Sequence, residues 1–240
     1  CPCGSGKKFK KCHLGREDEL SFDGMEDFTD EMSRMITSLQ EVSYGRCREM
    51  ADALDISGLT GKDLGVRFVD LRDYQALNFY GTGGGKATDE KGGSVFINLK
   101  KTRPTDPDHV YIAVSRDIDE SSLVHQLAHV MDYLAGSGQM PGLQDPLGYE
   151  YDVPVEHLEH TEEFGYWLRY LKDLFEVQLD ADDAIIDFLY GKGRLLKGLL
   201  IEKKDGPAIR AASNAILTFL ADHQQELDAL IRDRPGYLGT

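Results

Sequence analysis

Residues 119–136 read DESSLVHQLAHVMDYLAG, and the organisation of the chain turns on how this stretch folds. Leu123, Val124, Leu127, Val130 and Met131 recur at helical spacing, with Asp119 or Ser121 placed to cap the start and Gly136 to end it. His125 and His129 stand four residues apart, so their rings project from one side of that helix. Just before it, residues 110–115 read VYIAVS, a short β-branched and aromatic run that predicts a strand. A strand leading straight into a helix that carries paired imidazoles is the frame on which the remaining segments hang.

Two further runs, VRFVDL at 66–71 and VFINL at 95–99, predict companion strands, separated by the glycines of 81–85 and by Pro104 and Pro107. Upstream, Glu17 to Leu54 is acidic and helix-prone, with Met25, Phe28, Met32, Met35, Ile36 and Leu39 at helical spacing. Downstream, a loop with Pro141, Gly142, Pro146 and Gly148 precedes a second helix, expected to start near Asp152 and Pro154 and run through PVEHLEHTEEFGYWLRYLKDLF. Residues 180–232 predict two or three more amphipathic helices. The expected architecture is α+β: a small sheet, a histidine-bearing helix and C-terminal helices over 17–240, preceded by a small module at 1–16.

With 240 residues the chain can bury one good-sized core and carry an appendage. A net charge of −15 argues against nucleic-acid binding, because a polyanion is repelled by such a surface. Lys7, Lys8, Lys10 and Lys11 are a local exception, read as a solvated face. No run approaches the ~18 apolar residues of a membrane span, and the opening residues show no secretory signal. Of four cysteines, Cys1, Cys3 and Cys12 crowd into one segment and Cys47 stands alone. That distribution suits a metal site in a reducing cytoplasm better than a disulfide scaffold.

Cys1-x-Cys3 with Cys12-His13 supplies three thiolates and one imidazole, a complement for tetrahedral structural zinc. Gly4 and Gly6 let backbone amides turn toward the sulfurs, and the lysines offset the thiolate charge. Four protein ligands leave no open position, so such a site folds the segment and catalyses nothing. CPCGSGKKFKKCH closely resembles the SEC-C motif, a zinc-binding element. In that family the element is an appended docking module, which implies a docking partner without naming it.

The pair His125 and His129 has the geometry of the H-E-x-x-H helix of zinc peptidases, so a second zinc of catalytic type is expected there. The residue after the first histidine, a glutamate in that helix, acts as general base toward the zinc-bound water. Here it is Gln126, which can hydrogen-bond a water but cannot take its proton. Two readings fit: an active enzyme arrested by substitution, or a natural pseudoenzyme. For the third ligand, Glu162 is followed at one turn by Gly165, which would let its helix approach the metal helix closely. Glu163 is the alternative, with bulky Tyr166 at that spacing. His157 and His160 are read as surface residues. The segment GTGGGKAT at 81–88 fails the P-loop spacing and is read as a loop.

HQLAHVMDYLAG followed by EEFGYW is similar to the gluzincin metallopeptidases, nearest to the lethal-factor-like group, over roughly residues 110–171. That resemblance implies a zincin-like fold, a protein or peptide substrate, His125, His129 and Glu162 as ligands, and Asp132 as a residue supporting them. Tyr149, Tyr151 and Tyr166 are candidates to stabilise an oxyanion. A non-catalytic zinc-binding adaptor is the alternative function, and Gln126 is the feature that favours it.

Overall fold

Among the described residues three short strands form one mixed sheet in the order β1-β3-β2: β1 Gly65–Asp70, β2 Gly93–Phe96 and β3 His109–Val114. They come from a computed structural model that describes residues 34–77, 93–96, 106, 108–137 and 145–235. The candidate ligands Cys1, Cys3, Cys12 and His13 lie outside the described residues, as does the loop at 81–88. β1 runs parallel to β3, from Gly65 opposite His109 to Asp70 opposite Val114. β2 runs antiparallel on the other side, Phe96 opposite Tyr111. Val110 to Val114 of the central strand are all buried, which is why VYIAV reads as an unbroken apolar run instead of alternating.

The helix expected across 17–54 is not continuous where it is described. Residues 34–37 are helical and bury Ile36 against Val69, Tyr111 and Ala113. The chain then lies along the open edge of β1, where Glu41 bridges Val69 and the Val42 amide donates to the Phe68 carbonyl at 2.8 Å. Only afterwards does α1, Cys47–Ala53, begin, followed by α2, Ile56–Thr60, and, beyond β1, by α3, Leu71–Ala76. Pairing with a sheet edge here outweighs the helical periodicity of the side chains.

The histidine helix, α4, spans Glu120–Asp132 and follows β3 closely. Its N-cap is Asp119, whose carboxylate accepts from the Ser122 amide at 2.7 Å. At the other end Gly136, with φ of 106°, takes the left-handed conformation that closes the turn at Tyr133–Ser137. Every residue from Ser121 to Asp132 is buried, because α4 lies beside β2 and packs against α7, Glu162–Phe175. Leu123, Val124, Leu127, Val130 and Met131 each contribute about 1.5–3 kcal/mol by burial. His125, Gln126, His129 and Asp132 are buried as deeply, and each costs about 1–3 kcal/mol unless it finds a partner. These sums are close enough that the partners of the polar four decide whether α4 can stay where it is.

The second long helix expected from Pro154 to Phe175 is broken in two. After α5, Asp145–Tyr151, the chain forms α6, Val155–Glu159, stops at His160, and restarts as α7 with Thr161 as N-cap. Thr161 is extended (φ −78°, ψ 177°) and its hydroxyl accepts from the Phe164 amide at 3.5 Å. The C-terminal helices are α8 Ala181–Gly191, α9 Gly198–Glu202, α10 Gly206–Asp222 and α11 Gln224–Ile231. Tyr151, Leu158, Leu189, Leu196, Ile209 and Ile216 join most of them to α5 and α6 in a second apolar cluster. No helix among the described residues is long and apolar enough to cross a membrane.

Candidate metal centre

The break between α6 and α7 matters because of where it leaves His160. His125 and His129 are 3% and 2% exposed, and half-buried His160 comes down onto them from the α6–α7 junction. One ligand atom from each of the three rings lies within 4.8 Å of the others. The Nε2 atoms of His125 and His129 face each other at 3.1 Å. Tetrahedral zinc holds nitrogens at about 2.0–2.1 Å, which sets neighbouring ligand atoms about 3.3 Å apart. The spacing is compatible with two ligands to a common ion, and without one the two rings are within hydrogen-bond distance of each other. Phe164, fully buried, forms the apolar wall: its ring centroid is 4.3 Å from that of His129, 4.7 Å from His160 and 5.2 Å from His125.

The orientation of His125 is set from behind. Its Nδ1 lies 2.7 Å from Oδ1 of Asp183 on α8, and the Asp183 side chain is wholly buried. The other Asp183 oxygen accepts from the Ser121 hydroxyl at 3.2 Å, and that hydroxyl accepts in turn from the Asp180 amide at 2.9 Å. With the proton held on Nδ1 by a carboxylate, the Nε2 lone pair is the one that faces the cluster. Three imidazoles with a carboxylate behind one of them make a donor set suited to zinc, and three protein ligands leave room for a fourth from outside.

The residues expected from sequence fall into three groups. His125 and His129 converge, and Gln126 is buried beside His125 on α4. The expected third ligand does not join them. The Glu162 side chain is 47% exposed, 4.0 Å from Lys197, in the first turn of α7 where an acid favours the helix dipole. Glu163 accepts from the Gly198 amide at 2.8 Å. Gly165 does permit a close approach, but of other neighbours: an added Cβ would fall 2.6 Å from Leu195 and 2.9 Å from Tyr190. His160, read from sequence as a surface residue, sits in the cluster, whereas His157 pairs its Nδ1 with the Ser213 hydroxyl at 2.8 Å.

Asp132 is buried near the end of α4, with one oxygen accepting from the Ser137 hydroxyl at 2.9 Å. Burial pushes its pKa up to about 7, with Glu163 adding to the rise and the Ser137 hydrogen bond opposing it. Of the three tyrosines, Tyr149 is 90% exposed, Tyr166 is half exposed beside Trp167 and Tyr170, and Tyr151 is buried against Gly206. No ring contact joins any of the three to the histidines among the described residues.

Two residues escaped the sequence reading. His160 had a signal: Thr161-Glu162-Glu163 is an N-cap followed by two first-turn acids, which starts a helix at 162 and so ends the previous one by His160. Asp183 had none that separates it from Asp182, since both read as acids in the first turn of a helix capped by Asp180.

Residues 1–15 match the family model of the SEC-C motif. The chain therefore carries this zinc-binding motif at its N-terminus. The same segment is similar to protein translocase subunit SecA of Chloroflexus aggregans, 86% identical over 21 residues, and of a Roseiflexus species, 85% identical over 20 residues. These stretches are 9% and 8% of this chain, and the chain spans only 2% of the length of either SecA subunit. No solved structure matches the chain.

Proposed function

We propose that the chain is a zinc metallopeptidase of H-x-x-x-H type arrested at position 126, with the SEC-C motif as an appended zinc-binding docking element. The observation that carries this reading is the convergence of His125, His129 and His160, with Asp183 fixed behind His125. His160, not Glu162, is the third ligand in this reading, which departs from the ligand set that the gluzincin resemblance implies. When bound, zinc supplies Lewis acidity toward water and toward a substrate carbonyl.

The chain's own residues do the rest. His125, His129 and His160 hold the metal against the Phe164 wall, and Asp183 keeps the His125 proton on Nδ1. Position 126 adjoins the first ligand. Its amide can hold a water by hydrogen bonding, but only a carboxylate there can accept a proton. Among the described residues β2 lies at the edge of the sheet beside α4, where an extended peptide can add as a further strand. A peptide substrate, a cytoplasmic setting, and two zinc ions per chain, one structural and one of catalytic type, complete the proposal.

Zinc analysis of the purified chain tests it directly. Two ions per chain are expected, falling to one in the His125→Ala/His129→Ala variant. One ion in both would confine zinc to residues 1–13 and end the peptidase reading. Gln126→Glu then separates enzyme from adaptor: restoring a general base adds about 10²–10⁴-fold to hydrolysis, and the gain is expected to vanish on His125→Ala. Gln126 itself favours the second reading, a non-catalytic protein-binding module. A Gln126→Glu chain that binds two zinc ions and cleaves nothing in a broad peptide library would establish it.

A further inference from the structure

A cleft of about 300 Å³ opens between α7, α8 and the end of α11, away from the histidine cluster. Four of its lining residues are cations, Arg169, Lys172, Lys192 and Arg234, and one is an acid, Asp187. On a chain of net charge −15 this is a concentration of positive charge against the general field.

The cations are not equally neutralised. Asp187 is shared: Arg169 donates to one of its oxygens at 2.6 Å and Lys172 to the other at 3.1 Å. Lys172 also reaches Asp173 at 3.3 Å, but that carboxylate is 67% exposed and screened by solvent. Lys192 pairs with Glu226 at 3.2 Å, both about half exposed, and its ammonium stands 4.9 Å from the Phe188 ring centroid. Arg234 donates to the carbonyls of Leu230 and Leu179, at 3.0 and 2.9 Å, and forms no ion pair with a carboxylate among the described residues. Those two carbonyls hold its guanidinium in a fixed orientation. Within the lining itself four cations face one acid, Asp187, while Asp173 and Glu226 pair with the two lysines from outside it, so the cleft keeps an excess of positive charge.

We propose that this cleft binds a small organic phosphate, with the dianion between Arg234, Lys192 and Arg169 and its apolar part against Phe188 and Leu230. A phosphomonoester carries about −1.5 to −2 charges at neutral pH, opposite in sign to that excess. Arginine offers its oxygens a paired N–H fork. The volume is at the lower end of the roughly 300–1,000 Å³ found for ligand sites, which selects a compact ligand over a dinucleotide. The site does not depend on metal at the histidines and stands whichever way that reading falls.

Calorimetric titration of the full chain with phenyl phosphate tests the proposal. Saturable binding is expected, weakening as salt rises, and weakened about tenfold or more by Arg234→Gln and by Lys192→Gln. Lys192 is a surface residue, so its variant keeps the test open if Arg234→Gln disturbs the C-terminal turn. No saturable binding, or binding that both variants leave unchanged, overturns the proposal. So does binding that disappears in the His125→Ala/His129→Ala chain while surviving both cleft variants, because the phosphate is then held at the histidine cluster.

Discussion

The two candidate metal-binding regions of this chain are built in opposite ways. In the N-terminal region all four candidate ligands fall within 13 consecutive residues, Cys1 to His13, and a family model matches residues 1–15. The histidine cluster draws His125 and His129 from α4, His160 from a junction 31 residues further on, and its supporting carboxylate, Asp183, from α8. A site whose ligands are neighbours in sequence is a local motif that metal itself can fold. A site assembled from three segments exists only when the core has packed, so its ligands are bound to the stability of the whole domain. The first kind is transferable between proteins, as the short SecA matches show. The second is not, and its affinity should respond to mutations that never touch the metal.

The sharpest way to break this comparison is at the third ligand. Removing one of three ligands should cost a large part of the binding energy, since four-ligand zinc sites bind with about 10–16 kcal/mol in all, or about 2.5–4 kcal/mol per ligand. His160→Ala is therefore expected to weaken the second zinc by on the order of a hundredfold or more, measured by competition with a chelator. Glu162→Ala should leave it within a factor of about two, since a solvated first-turn acid contributes only through the dipole. If the two variants exchange these outcomes, α7 supplies the ligand and the α6–α7 junction is only a turn.

The deep burial of α4 has its own expected signature, at Asp132. Folding raises this carboxyl from an ordinary 3.8 to about 7. The folded chain thus holds the proton more tightly than the unfolded one, and stability falls as pH rises between those values, then levels off. Asp132→Asn, which keeps an acceptor for Ser137, is expected to stabilise the domain at pH 8 by on the order of 2–4 kcal/mol. The gain should shrink to nothing near pH 4, as read from denaturant unfolding of the metal-free chain. A gain of equal size at pH 4 and pH 8 would show that the carboxylate is not the cause.

A smaller effect tests whether support from α8 is real. Asp183→Asn keeps the shape but removes the carboxylate that faces Nδ1 of His125, and loss of such outer partners weakens metal binding about 10–100-fold. Ser121→Ala, one bond further out, should fall below that. Neither substitution should change the zinc held by Cys1 to His13. If Asp183→Asn binds the second zinc as tightly as the parent chain, His125 is oriented by its own helix alone.

What could be read in the sequence divides along the same line. Two strands and α4 were legible because each is a continuous stretch with one period: VRFVDL and VYIAVS each coincide with a strand to within one residue, Val95 and Phe96 of VFINL lie in β2, and Asp119 caps α4. The His125 and His129 pair was legible because four residues is one helical turn. His160 was misread as a surface residue because its place follows from a helix ending, and endings are set by local competition between capping and packing, here around Thr161. The discontinuity after residue 37 was misread for a similar reason, since the edge of β1 claims Glu41 and Val42 through backbone bonds that no side-chain pattern announces. Asp183 was not legible at all. Its partner is 58 residues away, and only the packing of α8 on α4 brings them together.

The finest test of the comparison lies in that helix ending. Thr161 is fully buried, and its bond to the Phe164 amide is long at 3.5 Å. Thr161→Ala should therefore sit at the low end for lost caps, about 0.5–1 kcal/mol of domain stability, with Thr161→Ser recovering most of it. The informative readout is the metal. If the cap is what stops α6 at His160, alanine lets the two helices merge into one, the His160 ring turns away, and affinity for the second zinc drops by more than the stability loss accounts for. If affinity merely follows stability, the junction is held by the packing of Leu158 and Phe164 on either side of it, both of them fully buried, and the hydroxyl only decorates a break that the core has already imposed.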